Sequence, residues 1–217
     1  MAGIVGLKRL LALVVLLFTS GCGATFRTHP KVVFIGDSIT ANWDANYAGQ
    51  QATFTQNNWL DMGIVGLTSG QIAALFDAYA IDLQPQAVHI VAGTNDVYPG
   101  WQLSETANNI ESMVEKAKKH NIAVVIGTIP PWGPGYTAEH ADPSSQRFQR
   151  IEQLNQWIAQ YAAAQGIQMV DYHTLLEAPN GENYIPAYTV DGVHPSAAGY
   201  AVMTPHTEQA LQAAMAP

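Results

Sequence analysis

The sequence predicts a three-layer α/β fold around a parallel five-stranded sheet. Short runs rich in Val and Ile recur along the chain, continuous rather than alternating, as in strands covered on both faces. Between them lie longer stretches whose apolar residues recur every three to four positions, the period of a helix packed on one side.

The elements follow in order. Lys31 to Ile35 is β-branched and stops at Gly36, so it reads as a buried strand. Trp59 to Met62 is a weaker strand before Gly63. Ser69 to Ala80 reads as a helix with Ile72, Leu75, Phe76 and Tyr79 on one face. Ala87 to Val91 is a third strand. Ser104 to His120 is a helix with Ala107, Ile110, Val114 and Ala117 on its apolar face. Ser104 is expected to cap its start, and Lys116, Lys118, Lys119 and His120 suit its negative end. Ile122 to Ile126 is a fourth strand, Ser144 to Gln165 a long helix, and Ile167 to Val170 a fifth strand. Ser196 to Ala214 is the last helix, with an interruption expected at Pro205. Pro130 to Pro143 is an unusual loop rich in Pro, Gly and aromatic residues. It follows a strand, where open α/β sheets bind ligands, and reads equally as plain surface loop or substrate contact.

The N-terminus stands apart. Lys8 and Arg9 precede an unbroken apolar run from Leu10 to Phe18. That run is too short for a bilayer span, which needs roughly 20 residues, and suits a secretory signal. Thr19-Ser20-Gly21 and then Cys22, the sole cysteine, follow. This resembles the lipobox of bacterial lipoproteins, with Thr19 where Leu is usual. It implies lipidation of Cys22 and an extracytoplasmic, membrane-anchored protein. The alternative is an ordinary signal peptide. The expected organisation is a signal over 1–21, a tether over 22–30 and one domain over 31–217.

Composition bounds the function. The chain has 217 residues, enough for one domain with a substantial core. Charged residues are 12%, about half the usual share. Lys plus Arg is 9 against 17 Asp plus Glu, a balance that argues against a nucleic-acid partner. One cysteine excludes a disulfide within the chain and a cysteine-based zinc site. No P-loop, dinucleotide fingerprint, His-Glu-x-x-His or Gly-x-Ser-x-Gly motif occurs. No metal or cofactor is expected.

Two strands end in short polar clusters: Gly36-Asp37-Ser38-Ile39 and Gly93-Thr94-Asn95-Asp96. A parallel sheet brings both to one edge. Late in the chain comes Asp191-Gly192-Val193-His194-Pro195. Serine needs a base to take its proton and a group that orients the base. Asp191 and His194, three apart, can supply these to Ser38. Asn95 and backbone amides can stabilise a developing oxyanion. A rival pair is Asp171 and His173, which would share one side of an extended strand. His140 and Asp142 are a further pair. His29, His89, His120 and His206 read as structural or solvated.

The four blocks Gly36-Asp37-Ser38-Ile39, Gly63-Ile64-Val65-Gly66, Gly93-Thr94-Asn95-Asp96 and Asp191 to Pro195 resemble, in order, those of the GDSL or SGNH hydrolases. Asp61 stands where that family usually has Asn. The resemblance implies a flavodoxin-like sheet and a serine esterase or lipase. It assigns Ser38 as nucleophile, His194 as base, Asp191 as its orienting carboxylate, and the Ser38 amide, Gly66 and Asn95 as the oxyanion hole. The expected substrates are acyl esters, with lysophospholipids and O-acetylated carbohydrates in the family's range. The alternative is a non-catalytic carbohydrate- or envelope-binding lipoprotein on the same fold. Trp43, Trp101, Trp132 and Tyr136 read either as substrate contacts, Trp132 foremost, or as core. The open, Pro-rich loop favours short acyl chains.

Overall fold

The computed structural model describes residues 29–45, 48–97, 100–133, 145–179 and 183–216. The signal, Cys22 and most of the expected tether lie outside these residues, as does the 134–143 part of the Pro-rich loop.

Five parallel strands form one sheet in the order β2-β1-β3-β4-β5. They are β1 (Val32–Gly36), β2 (Trp59–Asp61), β3 (Ala87–Val91), β4 (Ala123–Gly127) and β5 (Gln168–Val170). Every residue of β1 and β3 is buried, which is why these runs are apolar apart from His89. The edge strands β2 and β5 have three residues each and expose Leu60 and Gln168. Short edges leave little unpaired backbone for another chain to extend.

The helices are α1 (Ser38–Ala41), α2 (Gln51–Gln56), α3 (Ser69–Tyr79), α4 (Leu103–Lys119), α5 (Gln146–Gln165), α6 (Tyr172–Leu176) and α7 (Ala197–Ala214). α3, α4 and α5 cover one face of the sheet, and α7 with α6 the other. The sequence locates α3, α4, α5 and α7 to within two residues. α4 begins one residue earlier than expected, so Ser104 lies inside its first turn, and the cap position is Gln102, which makes no side-chain cap bond. Ser145 and Ser196 do cap α5 and α7, accepting from Phe148 N at 3.2 Å and Gly199 N at 3.2 Å. Pro205 does not interrupt α7. Pro205 and Ala201, whose carbonyl loses its helical partner, both lie on the exposed side of the helix rather than against the core. The short helices α1, α2 and α6 escape the sequence reading because each is too brief for a periodic apolar face.

An aromatic cluster fills the α7 side of the sheet. Phe34 packs against Trp43, Phe54, Trp59 and His89, with ring centroids 4.6–5.5 Å apart. Trp43 also meets Tyr172 and Tyr200. Edge-on and tilted pairs of this kind each add about 0.5–1.5 kcal/mol beyond the area they bury. His89 sits mid-strand beside Phe34, its Nε2 2.8 Å from the Tyr172 hydroxyl. Burial drives its imidazole down to about 3, so it stays neutral and serves as core. Tyr200 Oη ties this cluster to α1, the helix that carries Ser38, by donating to the Ile39 carbonyl at 2.7 Å. Trp43 Nε1, just beyond α1, donates to Thr204 Oγ1 on α7 at 3.0 Å. Among the described residues no helix is long and apolar enough to cross a membrane.

Candidate active site

Gly36 ends β1 where a Cβ would stand 2.4 Å from the Val91 carbonyl oxygen and 2.2 Å from Thr40 Oγ1. Only glycine lets the chain turn there. Asp37 then caps α1, its Oδ1 accepting from Ile39 N at 2.9 Å. Ser38 is therefore the first helical residue, presented at the C-terminal end of β1 with 5% of its surface exposed.

The chain from 189 to 195 brings in the partner groups. Its ends are bridged at Thr189 and Pro195. The Thr189 hydroxyl donates to the His194 carbonyl at 2.9 Å and accepts from Gly192 N at 2.8 Å, with Gly192 at φ +86°. From outside, Gly133 N donates to the Gly192 carbonyl at 2.8 Å, and Tyr184 Oη to the Val193 carbonyl at 3.2 Å. The loop so held places Asp191 Oδ2 2.7 Å from His194 Nδ1, and His194 Nε2 2.9 Å from Ser38 Oγ. Asp191 Oδ1 accepts from Val193 N at 2.9 Å and His194 N at 2.8 Å. Burial pushes this carboxyl up, but the bonds from the His194 backbone and ring and from Val193 N outweigh it and hold it below its ordinary value. An ionised Asp191 accepts from Nδ1–H. That assignment leaves the Nε2 lone pair facing the Ser38 hydroxyl.

The expected oxyanion groups lie on the loops after β2 and β3. Asn95 Nδ2 donates one proton to the Leu67 carbonyl at 3.0 Å, which orients the amide while leaving its second proton available. Gly66 is exposed and has φ +82°, a conformation side-chain-bearing residues rarely adopt. The loop rests on α1, because a Cβ on Gly63 would lie 2.2 Å from Ala41 N. Ile64 N also donates to the Gly36 carbonyl at 3.0 Å. Asp61, in place of the usual Asn, accepts from Gly63 N at 2.7 Å. That contact needs only an acceptor, which Asp supplies.

Two further carboxylates frame the site. Asp96 is buried and accepts from Ser69 N at 2.8 Å, from Ser69 Oγ, and from Thr106 Oγ1 at 2.8 Å. It thereby fastens α3 and α4 beneath the Asn95 loop. Asp37 is wholly buried beside the nucleophile. Burial raises its carboxyl from 3.8 to about 6, against the pull of Ile39 N, the Thr94 hydroxyl and His194, with Asp96 adding to the rise. The signal available in sequence was position: each acid adjoins a predicted site residue.

Asp171 and His173 do not form a pair. Asp171 caps α6, accepting from Thr174 N at 3.1 Å and Thr174 Oγ1 at 2.8 Å, so the chain there is helical rather than extended. The His173 ring instead meets Glu152 at 3.0 Å, Glu177 at 3.3 Å and Asn155 at 3.1 Å. Trp132 is 3% exposed, and its ring lies in the core with those of Trp43 and Trp101. These three aromatics take the packing alternative. Tyr136, His140 and Asp142 lie outside the described residues.

A parallel α/β sheet with an acid, an imidazole and a hydroxyl aligned at its C-terminal edge presents the groups that serine acyl-transfer hydrolases use. The chain belongs to the GDSL-like lipase/acylhydrolase family, whose model matches residues 34–202. A GDSL-like lipase from Bacteroides thetaiotaomicron has a similar structure, with TM-score 0.79 and 31% identity, over 95% of this chain and 97% of that one. Axe2, an acetylxylan esterase from Geobacillus stearothermophilus, shares the fold at TM-score 0.67 and 22% identity, over 84% and 94% of the two chains. The uncharacterized lipoprotein YqeF of Bacillus subtilis is 30% identical over 152 residues. That match spans 62% of this chain and 62% of the relative, so the chain covers less than two thirds of it.

Proposed function

We propose that this protein is a serine-dependent carboxylic ester hydrolase working through an acyl-enzyme. The observation that carries the reading is the unbroken contact chain from Asp191 through His194 to Ser38, at 2.7 and 2.9 Å. Ser38 Oγ attacks the ester carbonyl carbon as His194 Nε2 takes its proton. Negative charge on the carbonyl oxygen is met by the Ser38 amide, Gly66 and the second Asn95 amide proton. The C–O bond to the alcohol breaks, and His194 returns the proton to the leaving oxygen. Water then attacks the Ser38 ester by the same route and frees the acid.

The substrate is an acyl ester, with lysophospholipids and O-acetylated carbohydrates in its range and short acyl chains preferred. No cofactor and no nucleic acid takes part. A fluorophosphonate probe should label Ser38, and Ser38→Ala should lose labelling and turnover together. Full esterase activity in that variant would overturn the reading. The sole cysteine after a short apolar run supports a lipid anchor on Cys22, and the name of the Bacillus relative agrees. Cys22→Ala should move the protein from the membrane to the soluble fraction.

A further inference from the structure

One polar side chain interrupts the buried face of α5. Phe148, Ile151, Leu154, Ile158 and Ala162 line that face, and Asn155 sits among them, mid-helix and buried. Asn forms helix less readily than Ala or Leu, and its amide is costly to bury unless it is bonded. The bonds go to one backbone residue, Ile129. Asn155 Oδ1 accepts from Ile129 N at 2.8 Å, and Asn155 Nδ2 donates to the Ile129 carbonyl at 2.9 Å. β4 has ended by then, at Gly127, so the side-chain amide pairs with this peptide as a neighbouring strand would.

Those two bonds hold one end of a stiff segment. Ile129, Pro130, Pro131, Trp132 and Gly133 are all buried. Proline fixes its own φ and keeps the residue before it extended, so the chain from 129 to 131 has little freedom. At the far end, Gly133 N donates to the Gly192 carbonyl at 2.8 Å. Gly192 lies between Asp191 and His194. We propose that Asn155 is a positioning residue for the catalytic base. By fixing Ile129 it sets, through the Pro130-Pro131 strut, where the loop of Asp191 and His194 stands relative to Ser38. This rests on the serine mechanism proposed above. Asp191 Oδ1 accepts from Val193 N and His194 N within the loop, so the acid and the imidazole stay together if the strut slackens. What loosens is the 2.9 Å contact between His194 Nε2 and Ser38 Oγ. His194 takes a proton in both acylation and deacylation, so both steps slow together. KM depends on substrate affinity and on the ratio of those two rates, and is therefore unchanged.

Two variants test this. Asn155→Leu removes both bonds to Ile129 at nearly constant volume. Asn155→Asp keeps the bond from Ile129 N and leaves the Ile129 carbonyl to His173 Nδ1, 3.3 Å away. Turnover of nitrophenyl acetate is measured at fixed pH, with kcat counted per active site from the nitrophenol burst, so that unfolded protein does not register. Asn155→Leu should lower kcat by about 10–10²-fold at unchanged KM, the scale of a small misplacement transmitted from a distance. Asn155→Asp should lose less. Fluorophosphonate labelling of Ser38 should slow in step with kcat in both. If Asn155→Leu does not fold, Asn155→Asp alone decides, and its kcat per site must fall below that of the wild type. A kcat per site equal to the wild type, a raised KM at unchanged kcat, or a larger loss in Asn155→Asp than in Asn155→Leu would overturn this role while leaving the serine mechanism intact. Full turnover of the same ester by Ser38→Ala would instead overturn the mechanism, and the positioning role with it.

Discussion

Replacing Asp37 by Asn should stabilise the protein above pH 6 and not below pH 4. Asp37 is completely buried, and its carboxyl titrates at about 6 rather than 3.8. A carboxyl with a raised pKa in the folded state retains its proton through a window where the unfolded chain has lost it. Folded stability therefore falls as pH rises from about 4 to 6, and the loss persists at higher pH. At ~1.4 kcal/mol per pH unit, the penalty at neutral pH is about 3 kcal/mol. Asn keeps the oxygen that accepts from Ile39 N, so the cap on α1 survives. Its amide can donate to Thr94, whose hydroxyl is buried and already acts on this carboxyl. The assay is urea unfolding of both proteins from pH 4 to 8. Other titrating groups are common to both and cancel in the difference. The variant's advantage should grow from near zero to about 3 kcal/mol across the window. A difference independent of pH, or a wild type that gains on the variant as pH rises, would refute the reasoning.

Other outcomes follow from the same geometry. Asn95→Ala should lower kcat by about 10²–10³, with a much smaller change in KM, because the amide proton meets charge only in the tetrahedral state. A normal kcat with raised KM would make Asn95 a substrate-binding residue instead. His194→Ala should abolish turnover, whereas His173→Ala should not, measured on one activated ester. His173→Gln should show the opposite pH trend to Asp37→Asn. Burial pulls the His173 imidazole down, but Glu152, Glu177 and the Ile129 carbonyl outweigh it and raise its pKa. Its stabilising contribution is therefore complete below about 6.5 and fades as pH rises through the folded-state value. The wild type's advantage over the variant should shrink accordingly in urea midpoints. Gly63→Ala should cost about 3 kcal/mol or more, since its Cβ would lie 2.2 Å from the Ala41 backbone nitrogen and no side-chain movement can relieve that. Thermal unfolding would show it.

The layers of the fold were legible because burial leaves a local mark. Strands covered on both faces are apolar almost throughout, so β1 and β3 could be read from VVFIG and AVHIV directly. α4 was readable because its one buried face repeats Ala107, Ile110, Val114 and Ala117 at helical spacing. The candidate triad was legible through the order of its four blocks, although no single block is distinctive. Spacing alone did not exclude the rival pair Asp171 and His173, and the fold separates the two because Asp171 caps a helix while Glu152, distant in the chain, reaches His173. The fate of the tryptophans was likewise a tertiary matter. Trp43, Trp101 and Trp132 flank the site blocks in sequence, yet each turns into the core once α4, α7 and the 129–133 chain close over the sheet. Composition records how much surface a chain must bury. Which groups face each other across that surface depends on contacts between distant segments, and these exist only in the folded state.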